Sequence, residues 1–137
     1  MSAWDRYGRW SASVPGDGGL ASTELVIVFP AVLLIVTLAL QFGLYLHAAQ
    51  IAEAAAQEAV EAAQAEPAGV ESGRAAARSL LSQLGALRAP MIDIRRTATV
   101  ATSTVTGRAQ QVVPGFKVAV SGSAQGPVER FIPEVSE

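Results

Sequence analysis

The chain has no cysteine and a single histidine, His47. The first absence excludes disulfides and thiolate metal sites. The second excludes a metal cluster built on histidines and leaves a Ser–His–Asp triad without support. Positive charge is thin as well: 10 Lys and Arg stand against 12 Asp and Glu, a net charge of −2. The arginines are scattered, with one adjacent pair, Arg95 and Arg96. A concentrated basic patch is what phosphate-backbone binding needs, so the composition argues against nucleic acid as the main partner. No GxGxxG, P-loop or HExxH occurs, and no residue cluster argues for catalysis or a cofactor. The expectation is a non-enzymatic protein. Its 137 residues leave room for one modest domain, and a core that small is marginal without a partner.

What the chain does have is one long uncharged run, LVIVFPAVLLIVTLALQFGLYL, from Leu25 to Leu46. About 20 mainly apolar residues in a helix cross the hydrocarbon of a bilayer, so the run predicts a transmembrane helix. Arg6 and Arg9 precede it, whereas no Lys or Arg lies between His47 and Ala65. That bias predicts a cytoplasmic N-terminus and an extracytoplasmic C-terminus, a single-pass plasma-membrane protein in contact with lipid. Pro30 lies about one turn inside the run and removes a backbone donor, which membrane helices tolerate. Thr37 and Gln41, four apart, share a face, and Gln41 has two readings: a bond to a neighbouring helix, or satisfaction of nearby backbone groups. Tyr45 and His47 mark the outer boundary.

After His47 the composition shifts to Ala with Glu and Gln as far as Glu66. These are strong helix formers, so the membrane helix is expected to continue outward, giving about 60 Å of helix from Leu25 to Ala65. Ala48, Ile51, Ala52, Ala55, Ala59 and Ala63 form a slim stripe suited to close packing, on another helix or on the chain's own domain. Glu53, Gln57, Glu61 and Gln64 lie on another face. Pro67 and Gly69 break the helix. A second is expected over 71–87, with Ser72 as a possible cap and Ala77, Leu80, Leu81, Leu84 and Leu87 as its apolar positions. After Pro90 the residues become β-branched. Ile92, Ile94, Ala98 and Val100 are expected on one strand face, Phe116, Val118 and Val120 on another strand, a turn over 107–115, and a short third strand over 128–132. The fold class predicted is α+β: a long N-terminal transmembrane helix with an exported extension, a second helix, and a small antiparallel sheet.

Upstream of the apolar run the sequence is GDGGLASTEL, so Glu24 abuts the lipid segment. A carboxylate there is costly to bury without a partner. It either marks the headgroup boundary, with Ser22 or Thr23 as helix cap, or it has a partner. A weakly basic leader containing Trp4, Tyr7 and Trp10, then Gly18–Gly19, then Glu24 and the apolar run resembles the class III signal of type IV pilins. Gly43 and Pro30 inside the run refine this to a resemblance to TadE-like proteins, minor pseudopilins of tight-adherence (Flp) pili. The stretch VVPGFKVAVSGSAQGPVERF, 112–131, resembles the tail of that group. Leu20 departs from the Phe or Met usual after the cut in the best-known pilins.

The resemblance implies cleavage by a prepilin peptidase between Gly19 and Leu20, which makes Glu24 the fifth mature residue. It implies pairing of Glu24 with the new amine of a neighbouring subunit. It also implies transmembrane packing through Pro30, Thr37, Gln41 and Gly43 against pilin or pseudopilin subunits and the pilus assembly platform. The organisation expected is a leader, 1–19, lost on maturation; a helix, 20–66; and an extracytoplasmic α+β domain, 67–137. The competing expectation is an uncleaved signal-anchored protein whose outer domain binds a ligand or envelope partner. The helix and β region beyond the membrane run weigh against a major fibre subunit, which in this group is little more than the helix.

Overall fold

A computed structural model describes residues 18–65 and 69–128, with side chains from 23 onward. The leader with Trp4, Tyr7 and Trp10, the break at Pro67, and all but Val128 of the third strand expected over 128–132 lie outside the described residues; Val128 itself follows the last strand. The order of elements is α1 (Gly18–Gln64), α2 (Val70–Leu84), β1 (Leu87–Arg96), β2 (Val100–Ala109) and β3 (Ala119–Pro127). This is the α+β arrangement expected: a long apolar helix, a second helix, then a three-stranded antiparallel sheet in the order β1-β2-β3. By its internal contacts the chain divides into two units, Met1–Ile35 and Val36–Glu137.

In the first unit α1 runs through Pro30. Its large side chains are bare: Leu25, Val26, Ile27, Phe29, Leu33 and Ile35 are all more than half exposed. From Thr23 α1 is long and apolar enough to cross a membrane, and only 6% of its most apolar window is buried. A core helix of a water-soluble domain hides such residues, whereas a helix meant for lipid leaves them outward.

In the second unit α1 changes character. Ile51 and Ala52, Ala55 and Ala56, Ala59 and Val60, and then Ala63 are buried, while Glu53, Glu58 and Glu61 are exposed. A repeat of four residues puts these buried positions on one side of an α-helix. The side meets the chain's own sheet and α2. One cluster joins Ala52 and Ala56 to Leu81, Val105 and Val120; the next joins Ala59 and Ala63 to Ala77, Ile94 and Ala101. Of the two uses open to the alanine stripe, packing on its own domain is the one adopted. Glycine faces it from both neighbours. A Cβ on Gly122 of β3 would strike the backbone of Ala52 and Glu53, and one on Gly73 of α2 would strike the Ala59 carbonyl.

Two boundaries differ from the sequence reading. Helix α2 begins at Val70 after Gly69, with no side-chain cap, so Ser72 sits inside it. It ends at Leu84, where Gly85 takes the left-handed conformation (φ 62°) and bonds back to the Leu81 carbonyl, the usual glycine stop. Leu87 therefore belongs to β1. The larger difference is that the β-branched stretch after Pro90 is a hairpin, not one strand. The Thr97 hydroxyl accepts the Val100 N–H at 3.0 Å, and the Thr97 N–H reaches the Val100 carbonyl at 2.9 Å. This turn resets the phase of alternation. Ile92 and Ile94 point inward, opposite Val105 and Ser103, but the inward residues of β2 are Ala101, Ser103 and Val105, and Val100 faces out. Thr97→Val removes the exposed turn bonds of this hydroxyl and is expected to lower stability by about 1 kcal/mol, measured as a shift in denaturant midpoint with unchanged slope.

Strand β1 is an edge strand and carries a register shift between Arg88 and Met91. Pro90, which has no N–H for the ladder, sits in that irregularity beside Ala89, whose φ is +48°, a placement typical of proline in sheets. The connection from β2 to β3 ends in a turn in which the Phe116 N–H reaches the Val113 carbonyl at 3.2 Å. Pro114 and Gly115 (φ 85°) occupy its centre, the Pro-Gly pattern of a type II turn. Val118 precedes β3 instead of lying within it, and Phe116 stays exposed.

Candidate functional site: the ends of the apolar segment

At its inner end, Gly19 and Leu20 fall in the first turn of α1, which starts at Gly18. Glu24 is one turn further on and exposed. Leu20 to Glu24 is four residues, about 6 Å of rise, so the Leu20 nitrogen and the Glu24 carboxylate lie on adjoining turns of one helix. Pro30 is exposed and Thr37 half-buried. Gly43 is exposed, and a Cβ added there would meet nothing within 4 Å. Among the described residues nothing packs at Gly43.

Gln41 behaves otherwise. It is 2% exposed although it lies in the apolar run. Its Nε2 donates to the Gln110 carbonyl at 3.1 Å; its Oε1 accepts the Val112 N–H at 2.8 Å and the Val113 N–H at 3.4 Å. One amide thereby satisfies three backbone groups of the β2–β3 connection. Of the two readings of Gln41 open in the sequence, bonds to backbone are the ones made here, though the backbone belongs to a loop some seventy residues away. The same loop presents residues that sequence reasoning did not assign to any site. Val112 and Phe116 are about half exposed. Phe116 and Val118 join Leu38, Gln41, Phe42 and Tyr45 around a groove of about 330 Å³. The Phe42 and Tyr45 rings, one turn apart, have centroids 6.4 Å apart. A proline-glycine turn holding exposed apolar residues was the available signal.

Arg95 and Arg96 do not form a site: Arg95 pairs with Asp93 at 3.4 Å with both side chains largely in solvent, a contact worth little.

Residues 19–61 match the family model described as TadE-like protein. The match takes in Gly19, Leu20, Glu24, Pro30, Thr37, Gln41 and Gly43 together with most of the small-residue stripe, and ends before α2. The stretch 112–131 lies outside it. No curated protein and no solved structure matches this chain.

Proposed function

We propose, taking residues 19–61 as a TadE-like segment, that this chain is a minor, pseudopilin-type membrane component of a tight-adherence pilus assembly system. The observation that carries the reading is that the matched segment begins at Gly19, holds Glu24 five residues later, and continues within the same helix into a run whose apolar side chains are bare. An ordinary secretory signal is cut after its apolar segment, which would discard the helix. A cut between Gly19 and Leu20 keeps it. A prepilin peptidase is the enzyme suited to that cut, and the chain is its substrate.

The cut creates an ammonium group at Leu20, at the inner edge of the lipid. Glu24 on a neighbouring subunit is its natural partner, and deleting either member from a poorly hydrated site costs roughly 3–5 kcal/mol. The positive-inside bias places the N-terminus in the cytoplasm and the sheet domain outside. Pilin or pseudopilin subunits and the assembly platform are the partners. Helix packing at the bare side of α1, where Gly43 leaves room, is the mode of action.

The test is an N-terminally tagged chain expressed beside its Gly19→Ala variant. The parent is expected to lose the tag and to begin at Leu20; Gly19→Ala is expected to keep the tag. Parent protein that keeps its tag refutes processing and leaves a signal-anchored protein instead.

A further inference from the structure

The loop that Gln41 anchors brings together two kinds of surface. On one side lies the apolar groove of Leu38, Phe42, Tyr45, Phe116 and Val118, in which the amide of Gln41 is already committed to backbone. On the other lies a cleft lined by Arg88, Arg108, Lys117, Ala109 and Gln111, with no carboxylate among its walls. Lys117 sits between the two groove residues Phe116 and Val118 in sequence, so one segment contributes a side chain to each surface. Arg88 and Arg108 are direct partners across the β1–β2 ladder. Like charges placed opposite each other on neighbouring strands destabilise a sheet, and a bound anion removes that penalty.

The depth is also set. Gln41 is five residues short of Leu46, the last residue of the uncharged run, or roughly 7–8 Å along the helix. A loop hydrogen-bonded to Gln41 reaches just beneath the acyl–headgroup boundary, with Val112 and Phe116 facing acyl chains and Lys117 able to reach up to the headgroups. We infer that the base of the sheet domain binds an anionic phospholipid of the leaflet on the exported side, its acyl chain in the Phe42–Phe116 groove and its phosphate among Arg88, Arg108 and Lys117. This rests on the membrane-anchored reading above. A single headgroup is held by three cations on β1, β2 and the loop, which ties the domain to the surface it stands on.

The absence of cysteine makes the test direct. The full chain, carrying a fluorophore on Val112→Cys or on Leu33→Cys, is placed in phosphatidylcholine nanodiscs containing a small fraction of nitroxide-labelled phosphatidylglycerol or nitroxide-labelled phosphatidylcholine. The Leu33 reporter, in the apolar run, is expected to be quenched alike by both. The Val112 reporter is expected to favour the phosphatidylglycerol by at least about fivefold, the effect of a single cation near an anionic surface. The preference should vanish in R88Q/R108Q/K117Q and shrink in K117Q alone, a milder change that guards against misfolding of the triple variant. Equal quenching of the Val112 reporter by the two lipids overturns the proposal. So does quenching by neither while Leu33 is quenched, or cross-linking of unlabelled Val112→Cys to a second copy in place of lipid contact. Absence of quenching at Leu33 overturns the membrane-anchored reading itself.

Discussion

Gly122→Ala is expected to destabilise the sheet domain by about 3 kcal/mol or more, because the methyl group has nowhere to go. Overpacking of a close-packed interior ordinarily costs about 1–3 kcal/mol, most of it spent moving side chains. Here the obstacle is the backbone of Ala52 and Glu53 within α1, and a helix backbone does not swing aside as a side chain does. Strand β3 must back away from α1, opening the contact of Val120 with Ala52 and Ala56. Gly126→Ala meets chiefly the end of the Gln64 side chain and a Val60 methyl, which can yield, so its cost is expected to be smaller. Gly43→Ala meets nothing and is expected to change the stability of this chain by less than about 1 kcal/mol. Denaturant unfolding of the detergent-solubilised chain, followed by far-UV circular dichroism, ranks the three. A Gly122→Ala protein within 1 kcal/mol of the parent would show that α1 and β3 do not approach as described.

Much of this architecture was legible because its signals are local. The uncharged run Leu25–Leu46 and the Ala/Glu/Gln stretch after it are patterns within single helices, and the stripe from Ala48 to Ala63 follows from helical spacing alone. The motif at Gly19 and Glu24 is also local, and the family match begins at Gly19. What the stripe packs against was not legible, because alanine suits a helical partner and a sheet equally. Gly122 and Gly73 answer that question, yet a glycine in a strand or helix says nothing by itself about which backbone approaches it. The hairpin at 97–99 was hidden for a different reason. Thr97, Ala98 and Thr99 contain none of the Gly, Pro, Asn or Asp residues that announce turns, and the Thr97 hydroxyl does the closing instead. Once the turn is missed, Val100 is placed on the face of Ile92 and Ile94, from which the structure turns it away. The basic cleft was invisible because Arg88, Arg108 and Lys117 are far apart in sequence and meet only through the antiparallel register and the return of the loop to β3.

Gln41→Leu separates a residue that merely prefers its place in a membrane helix from one that holds a loop. By composition alone the substitution should help, since leucine suits lipid better than an amide. The geometry gives the opposite sign. Removing the amide leaves the Gln110 carbonyl and the Val112 N–H without the partner that ties the loop to α1, and each part-buried hydrogen bond lost costs about 1 kcal/mol. The loss falls on the loop and not on the core clusters, which lie further out along α1, so the expected effect is local opening of 110–118 by about 2 kcal/mol. Lys117 is exposed in that loop and provides a trypsin site to read it. When opening is fast relative to cleavage, the rate follows the open population, and 2 kcal/mol corresponds to roughly a 30-fold rise. Cleavage after Lys117 is expected to rise by that factor while cleavage after Arg96, before the Thr97 turn, stays unchanged. An equal rise at both positions would mean that Gln41 supports the whole domain; no rise at Lys117 would mean that the hydrogen bonds to Gln41 do not restrain the loop, and the lipid-facing placement of Val112 and Phe116 would lose its anchor.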